Sequence, residues 1–253
     1  MTSRSDWHSI IATESHLPPD AARQLREIGF VVMPGPAIQG SCEQLSDAYD
    51  RAVATADSAD VHIGRTRSST RIDDFVNRGS EFDGIYICPQ LLAACCQIIG
   101  GPFKLSGMRA RTLNPGAPTE GLHVDVKHRA NGWPLVGCIL MVDAFDAENG
   151  ATRFVPGSHL QPREPGEVMN NPQDAHDEQV FACGPAGSII IFNASVWHSH
   201  GANRSARPRR SIQAHFVPRE ARASTDDHSG RMRPETLQRI GDLAKYVLNV
   251  GNV

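Results

Sequence analysis

Residues 103–126 read FKLSGMRARTLNPGAPTEGLHVDV, and the texture of this stretch decides the fold class. Phe103–Leu113 is an extended run. Asn114-Pro115-Gly116 and the residues up to Glu120 interrupt it, and Gly121–Val124 then reads as another short strand. Downstream the same alternation continues: Leu135–Val142, Thr152–Val155, Ser188–Phe192 and Arg209–Val217 are short runs separated by Gly, Pro and Asn turns. Many short strands with turn signals between them argue for a sandwich or barrel, not for a parallel sheet. The segment from Gln161 to Asp177, rich in Pro, Asn and charge, is an excursion between strands.

Upstream of residue 103 the pattern is helical. Pro18-Pro19 opens, and Gly29 closes, a helix running into the apolar run Phe30-Val31-Val32-Met33. Ser41 and Gln44 form a capping box for a second helix, whose Leu45, Ala48, Tyr49, Ala52 and Val53 share one face. Pro89 to Ile99 is a third helix, stopped by Gly100-Gly101. Between them, Ala54 to Gly84 is polar and reads as a long loop of the kind used as a lid. Its Arg65, Arg67 and Arg71 read as a solvated loop, with pairing to a substrate carboxylate or phosphate as the alternative. A stripe of Leu237, Ile240, Leu243, Ala244, Val247 and Leu248 predicts one last helix from Pro234 to Leu248. The expectation is a single domain over residues 1–253. It comprises a mostly helical support and lid loop at 1–101, a β core at 102–218, and a C-terminal helix at 219–253.

Bulk composition narrows the partners. Hydrophobic residues make up 40% and charged residues 21% of 253, enough to bury a substantial core. A formal charge of −3 gives no reason to expect nucleic acid or an anionic membrane. No apolar run reads as approaching the roughly 20 residues of a membrane helix. Met1 to Trp7 lacks the layout of a signal peptide, so a cytoplasmic protein, monomer or homodimer, is expected. The six cysteines contain no CxxC pair, and Cys95–Cys96 are adjacent; they read as reduced, mostly buried thiols.

Gly121-Leu122-His123-Val124-Asp125 carries the chemistry. Residues two apart in a strand point to the same side, so His123 and Asp125 deliver an imidazole and a carboxylate to one point. Trp197-His198-Ser199-His200-Gly201, after an apolar strand, offers His198 or His200 as a third ligand. Two histidines and one carboxylate on one face are the ligand set of non-haem Fe(II) oxygenases, with positions left for oxygen and a cosubstrate. Zinc fits chemically but usually recruits more His or Cys. Eleven residues after His198 comes Arg209. An arginine fork is the best partner for the far carboxylate of a 2-oxoglutarate chelate. Strand parity sets Arg209, Ser211, Gln213 and His215 on one side, against Ile212, Ala214 and Phe216. Apart from these, His8, His16, His62, His128, His159, His176, His215 and His228 are read as ordinary.

In that order, four blocks resemble the phytanoyl-CoA dioxygenase family of Fe(II)/2-oxoglutarate oxygenases. They are Leu122-His123-Val124-Asp125; Glu148-Asn149-Gly150-Ala151-Thr152; Val155-Pro156-Gly157-Ser158-His159; and Trp197-His198-x-x-Gly201-x-Asn203-x-Ser205 leading to Arg209. The resemblance implies a mainly β fold with flanking helices, a double-stranded β-helix (a cupin-like jelly-roll). It implies iron held by His123, Asp125 and His198, the last preferred over His200 because Gly201 and Asn203 stand at the family's offsets. His200 is left for a substrate or outer contact. Arg209 would hold 2-oxoglutarate, with Thr152 and Ser211 as further cosubstrate contacts. Asn149-Gly150, Pro156-Gly157 and His159 read as turn structure.

The implied reaction consumes 2-oxoglutarate and O₂ and releases succinate and CO₂. Halogenating relatives replace the carboxylate ligand by Gly or Ala, so the intact Asp125 favours oxygenation. The substrate is expected to be a small metabolite from a biosynthetic pathway, there being no dedicated CoA signature. Lys127, His128 and Trp133 would form its pocket wall together with the 54–84 loop. Two other readings remain at this point: the same iron centre catalysing desaturation, cyclisation or epimerisation, and a non-catalytic cupin-like binding protein.

Overall fold

A computed structural model describes residues 4–36, 42–59, 61–127, 134–221 and 230–251. In chain order the elements are α1 (Arg4–Glu14), α2 (Pro19–Glu27), β1 (Phe30–Pro34), α3 (Cys42–Ala54), β2 (Ile63–Arg65), β3 (Ser69–Ile72), α4 (Asp83–Tyr86), α5 (Pro89–Ile99) and β4 (Phe103–Leu113). There follow β5 (Val136–Met141), β6 (Thr152–Phe154), α6 (Pro165–Val168), β7 (Val180–Ala182), β8 (Ser188–Asn193), β9 (His198–His200), β10 (Arg209–Pro218), α7 (Pro234–Arg239) and α8 (Asp242–Leu248).

Two antiparallel sheets result. The larger has strand order β1-β8-β5-β10-β4-β3-β2, the smaller β7-β6-β9. This is the jelly-roll that the family resemblance implies, within the sandwich or barrel that the strand pattern predicts. The central strands β5 and β8 are buried along their whole length and read as continuous apolar runs, not alternating ones. One of their faces meets the helices, where Leu91, Leu92 and Cys95 of α5 join Cys138, Leu140, Ile189 and Ile191 in one core. The other looks between the sheets, where Ile139, Met141, Ile190 and Phe192 pack on Phe154 and Phe30. Phe30 stacks on Phe154 at 4.3 Å between ring centroids. The turn before β1 is fixed by Gly29 (φ 88°), where a Cβ would sit 2.6 Å from the His159 ring. His159 is itself buried, its Nε2 3.2 Å from the Arg26 carbonyl, in keeping with a structural role.

Several expectations are corrected. Residues 54–84 are not a long loop: β2 and β3 form a hairpin whose β3 extends the large sheet alongside β4, and Phe75, Val76 and Phe82 are fully buried beyond it. The predicted C-terminal helix is two helices, because Ile240 takes an extended conformation (φ −82°, ψ 141°) and Gly241, a poor helix former, starts the second. Gly121–Val124 is not a full strand; its only ladder contact among the described residues is an isolated bridge between His123 and His198. α1 was not foreseen; its Trp7 stacks on Tyr246 of α8 at 6.3 Å. All six cysteines are free, but only Cys88, Cys95 and Cys138 are buried. Cys42 and Cys183 are exposed, while burial pushes the Cys138 thiol up to about 12. Ser41, and with it the capping box, lies outside the described residues.

One stretch, Ser80–Ile99, is apolar and long enough by composition to cross a membrane, contrary to the expectation for this chain. It is broken before Pro89, and α5 buries Leu91, Leu92, Ala94 and Cys95 in the protein core.

Candidate metal centre

The His123 segment is sewn to the turn after β8. His123 N–H donates to the His198 carbonyl and His198 N–H to that of His123, each at 3.0 Å, so the two histidines are a hydrogen-bonded antiparallel pair. Asp125 N–H donates to the Ala194 carbonyl at 2.9 Å, and Ser195 Oγ donates to that of Val126 at 2.8 Å. From the other side, Leu122 N–H reaches the Pro172 carbonyl at 2.8 Å. Buried Arg153 clamps this excursion: its guanidinium donates to Ser199 Oγ (2.7 Å) and to the carbonyls of Glu120 (2.8 Å), Asp174 (2.8 Å) and Pro172 (3.1 Å).

As a result, His123, Asp125 and His198 present ligand atoms within 4.8 Å of one another. His123 Nε2 lies 4.0 Å from Asp125 Oδ1, and His198 Nε2 3.5 Å from Asp125 Oδ2. In each histidine Nδ1 is engaged by a backbone carbonyl, that of Gly121 at 3.0 Å and that of Val196 at 2.9 Å. An Nδ1–H donated to a carbonyl places the lone pair on Nε2, the tautomer a metal requires. The His198 ring is packed between Phe192 (4.8 Å) and Phe154 (5.7 Å). Burial keeps His198 below its ordinary value and hence neutral. Burial also works against ionisation of Asp125, but the imidazoles of His198, His215 and His123 outweigh it and hold the carboxyl well below the usual range. A neutral His198 imidazole and an ionised Asp125 carboxylate, with His123 Nε2 beside them, are a donor set ready for a divalent cation, so the residues present fit an iron(II) site.

The three donors open into a cavity of about 220 Å³ between the sheets. β10 carries Arg209 into it, and alternation sends the neighbouring Arg210 outward. Arg210 is saturated by Asp143 (2.6 and 3.0 Å) and Asp50 (2.7 Å). Arg209 is 2% exposed and has neither an ion pair nor a hydrogen bond among the described residues; its Nε is buried without a partner. Its guanidinium lies over the Phe145 ring at 4.1 Å, and burial, with Arg111 nearby, pulls its pKa down to about 9. The turn delivering it is built by Asn203, whose side chain bonds the carbonyls of Leu113 (3.1 Å) and Arg207 (2.9 Å) and accepts from Ser205 Oγ (2.7 Å).

The other predicted contacts divide. Thr152 is buried and lines the same cavity as Arg209. Ser211 is fully buried but donates its hydroxyl to the Arg111 carbonyl at 3.2 Å and does not line the cavity. His200 does, its Nε2 3.4 Å from Glu120 Oε2. Lys127 does not: it reaches away to Glu164 at 2.6 Å. His128 and Trp133 lie outside the described residues. Sequence reading missed Glu120, Arg109 and Arg111 altogether. It also set His215 aside as ordinary, yet its Nε2 is 3.5 Å from Asp125 Oδ2. Strand parity from Arg209 contained that signal for His215.

The fold and site define a class: a jelly-roll with two histidines, a carboxylate and a buried arginine around one cavity between its sheets. The phytanoyl-CoA dioxygenase (PhyH) family matches over residues 25–211, well over half of the chain, and the protein belongs to that family. The family uses iron(II), 2-oxoglutarate and O₂. One relative, dioxygenase andF of Emericella variicolor, is 33% identical over 141 residues, covering 51% of this chain. The match spans 47% of that relative, so the chain aligns with less than half of its length. Among solved structures, HygX from Streptomyces hygroscopicus with nickel and 2-oxoglutarate bound superposes with a TM-score of 0.66 at 14% identity, covering 82% of this chain and 90% of that one. The 2-oxoglutarate-dependent epimerase SnoN from nogalamycin biosynthesis gives a TM-score of 0.63 at 20% identity, covering 79% and 82%.

Proposed function

We propose that the protein is an iron(II)- and 2-oxoglutarate-dependent dioxygenase, one domain over residues 1–253, that hydroxylates a small-molecule metabolite of a biosynthetic pathway in the cytoplasm. The observation that carries this is Arg209. A buried guanidinium without an anion, in the same cavity as a two-histidine, one-carboxylate cluster, requires a partner with a carboxylate at one end and a metal-binding group at the other. A 2-oxo dicarboxylate has both.

His123, Asp125 and His198 would hold the iron, each fixed by the backbone pairing and Nδ1 contacts described above. Arg209 would hold the distal carboxylate of 2-oxoglutarate, with Thr152 as a further contact in the same cavity. Ser211 supports the reading by binding β10 to β4, which keeps Arg209 in register. Bound iron supplies the redox chemistry, in which 2-oxoglutarate and O₂ yield succinate and CO₂ while one oxygen atom enters the substrate. The apolar walls, Ile139 and Phe192, limit water around the site.

The test is anaerobic titration of the iron(II)-loaded protein with 2-oxoglutarate, followed by a metabolite screen read as substrate-dependent succinate release. A visible chelate band and stimulated succinate support the reading; absence of the band refutes it. A second reading, epimerisation or ring formation at the same centre, gains support from the likeness to SnoN. Product mass separates the two, since hydroxylation adds one oxygen atom and epimerisation adds none.

A further inference from the structure

Two histidines face the Asp125 carboxylate at the same distance but with opposite polarity. His198 and His215 each bring Nε2 to 3.5 Å from Asp125 Oδ2. His198 engages the Val196 carbonyl through Nδ1, so its Nε2 carries a lone pair, and a lone pair set against a carboxylate calls for a cation between them. His215 is arranged the other way round. Its Nδ1 lies 3.3 Å from Nη2 of Arg109, and a guanidinium can only donate, so Nδ1 accepts and the ring proton belongs on Nε2. That N–H faces Asp125 Oδ2 and needs no cation between them.

The strands explain the placement. On β4, Arg109 stands opposite Gln213 and Gly107 opposite His215; on β5 the residue opposite His215 is again a glycine, Gly137. With no side chain directly across on either side, the imidazole has room to lean along the sheet to Arg109, its diagonal neighbour. The register of β10 on β4 shifts directly after His215, the kind of irregularity that re-aims a side chain beside a site. Arg109, Asp125 and His215 all line the one cavity.

We propose that His215, oriented by Arg109, is a positioning residue for the metal centre, its Nε2–H holding the Asp125 carboxylate in the orientation a cation requires. Each carboxylate oxygen has two lone pairs, so Oδ2 can accept this bond and still face a metal. The polarity that Arg109 imposes also keeps His215 from becoming a fourth ligand, which preserves open positions for a cosubstrate and O₂. The inference rests on the iron(II) reading above and extends it to the groups behind the ligands.

The test uses the full chain and anaerobic calorimetry with manganese(II), so that no turnover is involved. His215→Leu should lower manganese(II) affinity about 10–100-fold, the usual cost of losing a partner of a metal ligand. His215→Gln should restore it to within about threefold, because its amide can accept from Arg109 through Oε1 and donate to Asp125 through Nε2. Unchanged affinity in His215→Leu overturns the proposal, and so does a loss that His215→Gln fails to rescue, which would make the imidazole a ligand or mere packing. A second measurement needs neither a variant nor a metal: long-range ¹H–¹⁵N correlation spectra of the metal-free protein at about pH 8, where an ordinary imidazole is neutral. They should show His215 as the Nε2–H tautomer and His123 and His198 as Nδ1–H. An Nδ1–H or doubly protonated His215 overturns the proposal whether or not the variants fold. If manganese(II) fails to bind the unaltered protein, the metal reading itself falls and takes this role with it.

Discussion

Replacing Arg209 by Met should make the metal-free protein more stable and the cosubstrate site inoperative, two effects of opposite sign from one side chain. Arg209 is 2% exposed, and burial, aggravated by Arg111, pulls its guanidinium from 12.5 to about 9. At 1.36 kcal/mol per pKa unit, that corresponds to about 5 kcal/mol of unfavourable charge burial, an upper bound. Methionine removes this and retains most of the apolar stem. It forfeits the cation–π contact with Phe145, worth about 1–2 kcal/mol, and about 1 kcal/mol of packing. The balance is a gain of about 1–3 kcal/mol, in the range seen when buried charges give way to hydrophobic isosteres. For a chain of this size it appears as a melting midpoint about 2–10 °C higher. Cosubstrate binding loses two charge-assisted hydrogen bonds of about 1.5–3 kcal/mol each, a fall in 2-oxoglutarate affinity of about 10²–10⁴-fold. Differential scanning fluorimetry with and without 2-oxoglutarate reads both effects, with calorimetry supplying the affinity. A lower midpoint in Arg209→Met combined with retained 2-oxoglutarate binding would refute the reasoning, since it would make Arg209 an ordinary structural cation.

The remaining predictions are shorter. Asp125→Asn should weaken manganese(II) binding more than about 100-fold, beyond the 10–100-fold typical of outer-sphere partners, as measured by anaerobic calorimetry. Acidification should destabilise the metal-free protein. Folded His198 sits below its ordinary 6.5, so from that pH downward the unfolded chain takes up a proton that the folded chain refuses. Asp125, held well below 3.8, contributes stability that is complete above that value and is lost only at lower pH. A urea midpoint that rises between about pH 7 and about pH 5 contradicts the assignment. Gly150→Ala should cost about 2–4 kcal/mol by urea unfolding: φ is +84°, and the added Cβ would lie 2.5 Å from Leu113 and 2.9 Å from the Gly201 carbonyl.

Periodicity and turn residues were a sound guide wherever one physical demand acted on a strand. β4 has the bounds its turn signals predict, and α5 runs from Pro89 to the glycine stop. The His123-x-Asp125 spacing brought those two side chains to one cavity, and the parity of β10 put Arg209, Gln213 and His215 there but failed for Ser211, which bonds the Arg111 carbonyl instead; Arg209 and Arg210 do diverge as alternation requires. Choosing His198 over His200 needed the family's offsets. In the structure His198, and not His200, is paired across the backbone with His123 and lies in the cluster with Asp125.

The failures share a cause. β3 and β4 turn one face toward a polar cavity lined by Arg71, Arg109 and Arg111, whereas hydrophobic patterning equates polarity with solvent. Residues 54–84 therefore read as a loop, although β3 is paired along its whole length to β4. Glu120 escaped notice because its partners, Arg111 and His200, are 9 and 80 positions away, and the contact exists only once the Arg153 clamp has set the loop that carries it. A sheet face that departs from the apolar rule must be stabilised by something that is absent from the chain itself. For Arg209, which has no anion among the described residues, the proposed cosubstrate is that partner. The positions where local propensity and fold disagree thus trace the polar lining of the cavity, and this is why they are the least legible residues of the chain.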